Sequence, residues 1–335
     1  MKSAVKSPFG SVCQSVRVTT APVCVLGLGL IGGSVLQAAV RGGRIAWGYN
    51  RSADAIAGSV EAGYDTDTDL TAVLTRAAEA GALIVIAVPM PAVDAILAAI
   101  AEHAPNNALT DVVSVKAEVA AAVSRRGLSE RYVGGHPMAG TDQSGWSAAD
   151  PELFRDAVWV VGVDDGVDPQ VWREVASLAL DCGSVVVPVE SGEHDRAVAR
   201  ISHLPHLLAE TLALVGASGS PLALGLAAGS FRDGTRVAST APALVRAMCE
   251  ANSTALTEAL DEALDVLTRA REELTTDGST RTLVTAGHRA RTLYEEHQRF
   301  DITGIEPGDD HWREKFGSAG RIGGVIRQIR SASPG

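Results

Sequence analysis

The stretch that decides the fold is residues 22–52, PVCVLGLGLIGGSVLQAAVRGGRIAWGYNRS. A short apolar strand, residues 23–26, leads into a glycine-rich turn, and helical periodicity follows at once. Gly27 permits the sharp turn, Gly29 leaves room for a pyrophosphate, and Gly32 lets the helix pack closely on the strand. The phosphates would lie on the unpaired N–H groups at the helix N-terminus. The stretch therefore predicts a dinucleotide-binding unit.

The end of the next apolar strand, residues 45–49, indicates which dinucleotide is bound. It falls about 20 residues after the turn, where the adenosine ribose is recognised. A carboxylate there favours NAD, but this chain has neutral Asn50, followed by Arg51 and Ser52. A guanidinium can pair with a 2′-phosphate, so we expect a preference for NADP. The alternative is that Arg51 is a solvated loop residue and that NAD binds through Asn50.

Composition limits the class of protein. The chain has 335 residues, 46% of them hydrophobic, which is enough for two domains. Its net charge is −11 and no basic run exceeds two residues, so nucleic acid and anionic membranes are not expected partners. An anionic small-molecule substrate would instead be held by a few placed arginines.

The spacing of the cysteines and the polar N-terminal sequence predict a cytoplasmic protein whose cysteine thiols are reduced. The cysteines lie far apart and form no CxxC pair, so neither a disulfide framework nor zinc is predicted. The first residues lack the apolar segment of a signal peptide. The most apolar run, residues 82–88, stops at Pro89 and is too short to span a bilayer.

The pattern of predicted secondary structure changes near residue 190. Up to about residue 190, strand-like and helix-like runs alternate, as a doubly wound parallel sheet requires. The predicted strands are 23–26, 45–49, 82–88, 108–113, 131–135, 157–163 and 184–188, and predicted helices between them include 30–42, 91–103 and 168–180.

Beyond residue 190, strand signals are replaced by alanine- and leucine-rich helical periodicity. The predicted helices are 192–215, 221–228, 242–274 and 280–299. We therefore expect an α/β N-terminal domain with a Rossmann-type doubly wound sheet, residues 21–190, after a flexible extension, residues 1–20. An all-α substrate and dimerisation domain would cover residues 191–335. The apolar 242–274 helix favours a homodimer.

Candidate catalytic side chains follow predicted strands, at the edge where open α/β sheets bind ligands. His136 lies in YVGGHPMAGTD, in a tight turn from which its imidazole can accept a proton from an alcohol. Ser114, in LTDVVSVK, could orient that imidazole or the nicotinamide, or cap the next helix. Lys116 is another possible base, although a lysine at a helix start is usually solvated.

The second half carries a histidine group and an arginine group. His203 and His206 are three residues apart on one predicted helix face, and Pro205 between them should kink that helix. A metal would need His194 or Asp195 as a further ligand, and we predict none because hydride transfer to a nicotinamide needs no metal. Farther on, AGSFRDGTR, residues 228–236, carries two arginines, Arg232 and Arg236, beside glycines. An arginine of this segment can bind a carboxylate of the substrate through two hydrogen bonds; the alternative is a loop arginine that pairs with Asp233.

Six ordered motifs resemble one family. The motifs GLGLIGGS, VPMP, TDVVSVK, GGHPMAGT, HDRAVARISHLPH and GSFRDGTR are similar to the TyrA family of prephenate and arogenate dehydrogenases. The resemblance covers residues 22 to about 275. The resemblance implies an oxidative decarboxylation that forms the aromatic ring of tyrosine. It implies that His136 takes the proton of the ring hydroxyl and that Ser114 supports His136 and the nicotinamide. It also implies that His206 lies by the substrate and Arg236 binds a substrate carboxylate.

With this resemblance the predicted site residues fall into three groups. The catalytic residues are His136 and Ser114, and the substrate-binding residues are Arg236, His206, His203, Thr141 and Asp142. The cofactor-binding residues are Gly27, Leu28, Gly29, Leu30, Ile31, Gly32, Asn50, Arg51, Ser52, Val88, Pro89 and Ser114.

Two departures from the family pattern keep alternatives open. Several relatives carry glutamate where this chain has Asp142, and tryptophan where it has Val245. An acidic Asp142 could attract the ammonium of arogenate, so arogenate or dual (cyclohexadienyl) specificity is an alternative to prephenate. More remote alternatives are a β-hydroxyacid dehydrogenase with a catalytic lysine, and a non-catalytic NADP-binding protein.

Overall fold

The computed structural model of the protein describes residues 20–141 and 143–329. Residues 1–19 of the predicted extension, and Cys13 with them, lie outside the described residues, as do Asp142 and residues 330–335.

The first half is built on a six-stranded parallel sheet. Its strands are β1 (Val23–Leu26), β2 (Ala46–Tyr49), β3 (Thr66–Asp67), β4 (Leu83–Ile86), β5 (Leu109–Asp111) and β6 (Tyr132–Val133). Their spatial order is β3-β2-β1-β4-β5-β6, which confirms the predicted Rossmann-type doubly wound sheet. The order reverses between β1 and β4, so a ligand crevice is expected at the carboxyl ends of these two strands.

Helices cover both faces of this sheet, which explains its continuously apolar strands. They are α1 (Leu30–Arg41), α2 (Ala53–Glu61), α3 (Leu70–Ala80), α4 (Met90–His103) and α5 (Ala117–Arg125). All residues of β1 and β4 are buried, in register from Val23 opposite Leu83 to Leu26 opposite Ile86. Alternate side chains enter two separate cores, one on each face.

A second, three-stranded sheet continues the first half. It consists of β7 (Gly135–Pro137), β8 (Val158–Gly162) and β9 (Val185–Val189), with α6 (Pro169–Asp181) between the last two. Strand β7 runs antiparallel to β8, and β8 parallel to β9. The single strand predicted for residues 131–135 is therefore wrong: the chain leaves the main sheet at Gly134 and joins another. This change of sheet carries His136 away from the edge of β6.

The second half is helical, as predicted. Its helices are α7 (Ser191–Val198), α8 (Leu204–Gly219), α9 (Pro221–Gly225), α10 (Gly229–Thr235), α11 (Pro242–Ala251), α12 (Ser253–Asp277) and α13 (Arg281–Glu296). A π-helical turn, Ala199–His203, separates α7 from α8, and a 3₁₀ turn, Arg236–Ser239, follows α10.

Two predicted helices are divided in the structure. The helix predicted for 192–215 is interrupted by the π turn, so Pro205 lies in the first turn of α8 rather than in a kinked helix interior. Proline is tolerated in a first turn because its missing N–H would be unpaired there anyway. The helix predicted for 242–274 breaks at Asn252, whose side chain is buried and bonded elsewhere.

The last described segment returns to the first half. It contains β10 (Phe300–Asp301), α14 (Trp312–Arg321) and β11 (Gly324–Val325). Trp312 and Phe316 pack on Trp172 of α6, and Ile326 forms a β-bridge with Val186. The predicted division at residue 190 assigns this segment to the helical domain, whereas its packing is on the second sheet of the first half.

Within the part of the chain that the structure describes, no helix has the length and apolar character needed to cross a membrane.

Candidate active site

The glycine turn has the shape that a dinucleotide requires. Gly27 has φ +106°, and a Cβ there would lie 2.6 Å from the carbonyl oxygen of Ala87. A Cβ on Gly32 would overlap with the carbonyl oxygen of Gly27, so helix α1 touches the turn at this point. A Cβ on Gly29, in contrast, meets no atom within 4 Å, and no side chain caps α1. Open space therefore lies directly in front of a helix N-terminus, which fits a pyrophosphate.

The other predicted nucleotide contacts surround this turn. Val88 follows β4, and its Cγ1 atom lies 2.9 Å from the position of a Cβ on Gly27. At the end of β2, Arg51 and Ser52 are exposed, and the Ser52 hydroxyl caps α2 by accepting the N–H of Ala55 at 3.4 Å. Arg51 makes no ion pair with a carboxylate among the described residues.

His136 is held by a second histidine. Its Nδ1 atom lies 2.9 Å from the Nε2 atom of His194, and the two rings meet edge to face with centroids 5.1 Å apart. The Nδ1 atom of His194 lies 2.8 Å from a carboxylate oxygen of Asp195. His194 and Asp195 are both buried, whereas His136 is only partly buried. The three side chains form a line from the interior to the site, Asp195 to His194 to His136.

Asp195 is itself fixed by the first half of the chain. Its carboxylate accepts the backbone N–H groups of Lys116 at 2.8 Å and Ala117 at 2.9 Å, at the start of α5. Asn252 donates to the carbonyl oxygen of Asp195 at 2.8 Å. The residue that holds His194 thus joins three elements, α5, α7 and the break between α11 and α12.

Electrostatics favour a neutral imidazole and an ionised carboxylate. Burial is the main cause that holds the pKa of His136 well below its ordinary value of 6.5, and the neighbouring groups His194, Lys116 and His203 further disfavour a positive charge on His136. Burial works against ionisation of Asp195, but hydrogen bonds from His194 and from the N–H groups of Lys116 and Ala117 together lower its pKa below 3.8. His136 can therefore serve as a proton acceptor near neutral pH.

Lys116 is buried, so the expectation of a solvated lysine is wrong. Its ammonium donates to the carboxylate of Asp111 and, at 2.6 Å, to the carbonyl oxygen of Gly135. The hydroxyl of Tyr132 donates to the same carboxylate at 2.6 Å. Burial lowers the pKa of Lys116, and the charge of Asp111 opposes that shift. Because this ammonium braces the backbone next to His136, it is not placed to reach a substrate.

Ser114 lies between β5 and α5 and is partly buried. The expectation that it caps the next helix is wrong, because the Asp195 carboxylate bonds the first N–H groups of α5. Its hydroxyl makes no hydrogen bond to a described residue, and the Nδ1 atom of His136 is bonded to His194 instead. A role for Ser114 beside His136 or a bound nicotinamide therefore stays a prediction.

The two histidines around Pro205 have different surroundings. His203 is fully buried, and its Nδ1 atom accepts from Asn252 at 3.1 Å, which leaves its buried Nε2 atom without a partner. Burial is the main cause that lowers the pKa of His203 to about 4. His206 is partly buried, and its Nδ1 atom also has no partner among the described residues. Such unsatisfied groups are candidates for substrate hydrogen bonds.

Arg236 follows α10 and is exposed. Phe231 lies against Gly216 and Gly234 against Leu212, so α10 runs antiparallel to α8 and leads Arg236 toward the N-terminal part of α8. Arg236 makes no ion pair with a described carboxylate, and it is Arg232 that lies near Asp233, at 3.9 Å.

The remaining predicted substrate residues lie in the loop after β7. The hydroxyl of the exposed Thr141 accepts the N–H of Gln143 at 3.2 Å. Asp142 lies outside the described residues.

Sequence reasoning did not assign His194, Asp195 and Asn252 to the site around His136. His194 and Asp195 were considered only as metal ligands, and both are engaged with each other instead. Among the described residues, no group of three or more His, Cys, Asp or Glu side chains could hold a metal ion. The available signal was the adjacent His-Asp pair at the start of the helical half.

Comparisons with known proteins identify the family of the chain. The family model described as prephenate dehydrogenase, nucleotide-binding domain, matches residues 35–188. The family model described as prephenate dehydrogenase, dimerization domain, matches residues 190–286. A prephenate dehydrogenase from Bacillus subtilis (strain 168) is 32% identical over 249 residues, which cover 72% of this chain and 66% of that protein. The chain spans about half to two thirds of the length of the curated relatives it matches first.

Solved structures show the same relationship. A crystal structure from Corynebacterium glutamicum, provisionally assigned as a prephenate dehydrogenase, superposes with a TM-score of 0.89 at 49% identity, covering 92% of this chain and 99% of that one. Synechocystis arogenate dehydrogenase superposes with a TM-score of 0.70 at 28% identity, covering 82% and 99%. The chain belongs to the prephenate dehydrogenase family.

Proposed function

We propose that the chain catalyses the NAD(P)-dependent oxidative decarboxylation of prephenate to 4-hydroxyphenylpyruvate, a step of tyrosine biosynthesis. The observation that carries this proposal is the partly exposed imidazole of His136, which the His194–Asp195 pair holds from behind. An enzyme for this reaction needs a base, an anion anchor and alignment, because aromatisation of the ring drives the loss of CO2.

His136 is the proposed base. Its Nε2 atom accepts the proton of the substrate's ring hydroxyl as a hydride leaves the carbon that bears this hydroxyl. When bound, the nicotinamide supplies the hydride acceptor for this step. The electron pair of the C–CO2 bond then enters the ring, CO2 departs, and the oxygen regains a proton as the phenol forms. The neutral state of His136, favoured by its lowered pKa, suits this role.

Arg236 is the proposed carboxylate anchor, and His203, His206, Thr141 and Asp142 are the proposed further substrate contacts. An exposed guanidinium without an ion-pair partner among the described residues can grip a carboxylate through two hydrogen bonds. The Nδ1 atom of the partly buried His206 has no partner among the described residues and can turn to a polar group of the substrate, whereas the fully buried His203 is the less accessible of the two proposed contacts.

The proposed cofactor is NADP, with NAD as the alternative. The open space at Gly29 and the uncapped start of α1 fit the pyrophosphate that both share. The preference for NADP rests on exposed Arg51 and Ser52 at the end of β2, where a ribose 2′-phosphate would lie. Gly27, Leu28, Leu30, Ile31, Gly32, Asn50, Val88, Pro89 and Ser114 complete the proposed contacts.

Arogenate is the alternative substrate. Its ammonium group could be attracted by Asp142, and the structural match to an arogenate dehydrogenase supports arogenate, or dual specificity, as the alternative. A β-hydroxyacid dehydrogenase with a lysine base is less well supported, because Lys116 is buried and bonded to Asp111.

The proposed assembly is a homodimer through the helical domain, residues 191–335. The helices α8 and α12 leave large apolar side chains exposed in the single chain, namely Leu208, Leu212, Val215, Leu264, Leu267 and Leu274. Large exposed apolar patches are typical of interfaces, so these side chains support the proposed assembly. The description of the matching family model as a dimerization domain supports the same assignment.

The deciding experiment mixes purified protein with prephenate or arogenate and with NADP or NAD, and follows nicotinamide reduction and product formation. We expect turnover with prephenate that yields 4-hydroxyphenylpyruvate. Turnover with arogenate alone would reassign the substrate, and no turnover with either substrate would refute the proposed activity.

A further inference from the structure

We propose that His194 is a positioning residue that fixes the tautomer of His136, so that the Nε2 atom of His136 presents its lone pair to the site. This inference rests on the role proposed for His136. It is carried by two consecutive hydrogen bonds, one between Asp195 and the Nδ1 atom of His194 at 2.8 Å and one between the Nε2 atom of His194 and the Nδ1 atom of His136 at 2.9 Å.

The donor and the acceptor of each hydrogen bond follow from the carboxylate of Asp195, at the buried end of the series Asp195, His194, His136. The Asp195 carboxylate already accepts two backbone N–H groups, at 2.8 and 2.9 Å, and these bonds favour its ionised form, which is only an acceptor. The Nδ1 atom of His194 must therefore carry a hydrogen. In a neutral imidazole the other nitrogen is then an acceptor, so the Nε2 atom of His194 accepts.

The same rule then determines His136. Its Nδ1 atom must carry the hydrogen that His194 accepts, and its Nε2 atom is left unprotonated. A ring with the opposite tautomer would present an N–H to the substrate hydroxyl and could not take its proton. When Nε2 gains the proton, the positive charge on His136 is stabilised by His194 and, behind it, by the carboxylate of Asp195.

The line is rigid because each member is fixed independently. His194 is 2% and Asp195 is 5% exposed, so neither side chain has room to turn away. Asn252 donates to the carbonyl oxygen of Asp195 and to His203, which ties the line to the helical half. Lys116 donates to the carbonyl oxygen of Gly135 and so holds the backbone immediately before His136.

The charged and titratable groups around His136 come from several elements. Asp195 and His194 lie on α7, His203 is in the π turn, and Lys116 lies before α5. Asp111 and Asp164 act on Lys116. His194 lies between His136 and the Asp195 carboxylate and bonds directly to the Nδ1 atom of His136, so loss of His194 alters both the tautomer and the titration of His136.

The first experiment reads the tautomer directly. ¹⁵N NMR of the uniformly labelled full chain, with His136 assigned by its absence in His136→Asn, is recorded near neutral pH. We expect the Nδ1 atom of His136 to be protonated and the Nε2 atom to be unprotonated. A protonated Nε2 atom in the wild type would overturn the inference, whether or not the protein turns over prephenate.

The second experiment compares His194→Leu with His194→Gln, whose side-chain carbonyl can still accept the hydrogen of His136. We expect His194→Leu to lower kcat about 100-fold while KM and the Kd of the dinucleotide stay within about threefold. We expect His194→Gln to recover most of kcat. His288→Leu, which removes an exposed histidine of α13, is the control.

The tautomer and the rate must change together. We expect the NMR signals of His136 in His194→Leu to show a mixture of tautomers and the acid limb of the pH–kcat profile to shift. Wild-type kcat in His194→Leu, or an unchanged tautomer together with a lost kcat, would overturn the inference. Absence of turnover in the wild type would instead refute the proposed function, and the NMR result would still decide this one. If His194→Leu does not fold, the wild-type spectrum decides.

Discussion

The carboxylate of Asp195 accepts the backbone N–H of Lys116 at 2.8 Å. Lys116 is the residue immediately before α5, a helix of the first half, and Asp195 lies in α7, the first helix after residue 190. One side chain therefore caps a helix of the first half, anchors His194 and connects the two parts of the chain. The candidate site lies at this junction.

Asp195 should contribute more to stability than an ordinary cap. Asp195→Ala removes a buried cap and leaves the Nδ1–H of His194 without its acceptor, so we expect a loss of ~2–3 kcal/mol in the free energy of unfolding. Asp168→Ala, which removes the exposed cap of α6, is the matched control and should cost only ~1 kcal/mol. Urea unfolding measures both, and equal losses would contradict the joining role of Asp195.

Two glycines of the turn should separate binding from folding. Gly29→Ala adds a Cβ into open space, so we expect unchanged stability but a Kd for the dinucleotide at least about tenfold higher. Gly32→Ala places a Cβ on the carbonyl of Gly27 and should lower the melting temperature. Calorimetric titration and thermal unfolding distinguish the two. Undiminished nucleotide affinity in Gly29→Ala would mean that the phosphates do not lie there.

Arg51 should discriminate between the two dinucleotides. Arg51→Ala removes a guanidinium from the proposed 2′-phosphate position, so we expect the Kd of NADP to rise roughly 10- to 100-fold. The Kd of NAD should stay within about threefold, because NAD has no phosphate there. Arg289→Ala, an exposed arginine of α13, is the control. Equal losses for both dinucleotides would contradict the preference for NADP.

His203 should make the protein less stable in mild acid. Burial keeps the pKa of His203 at about 4 in the folded chain, below its ordinary value of 6.5, so between these values the unfolded chain binds a proton that the folded chain does not. Stability is therefore lost as the pH falls through this window. Between about pH 7 and pH 5 the wild type should lose ~2 kcal/mol more than His203→Gln.

The control for this pH dependence is His288→Gln, which replaces an exposed histidine. It should lose as much stability as the wild type over the same interval. If His203→Gln and the wild type lose the same amount, His203 is not buried as a neutral group.

The sheet could be predicted because its determinants are local. The glycine spacing after β1 and the uninterrupted apolar residues of β4 require a turn and a strand covered on both faces, whatever the rest of the chain does. The helical half was predictable for the same reason, through its periodicity. Only Gly134 separates β6 from β7, and the periodicity of this segment does not indicate that the chain changes from one sheet to the other there.

The contacts behind His136 could not be predicted because they are not local. His136 and His194 are 58 residues apart, and nothing in either segment specifies their approach. The burial of Lys116 also depends on a partner, since a lysine is buried only where a carboxylate such as Asp111 meets it. The π turn before Pro205 is a local change in the backbone hydrogen-bond pattern, and the spacing of hydrophobic residues does not predict it.

The most direct test of the proposed chemistry compares the wild type with His136→Asn at saturating prephenate and dinucleotide, following nicotinamide reduction while the Kd of the dinucleotide is measured separately. Our account predicts that the wild type turns over and that His136→Asn loses about 10²- to 10⁴-fold in kcat with dinucleotide affinity unchanged. Turnover by His136→Asn at the wild-type rate would contradict it.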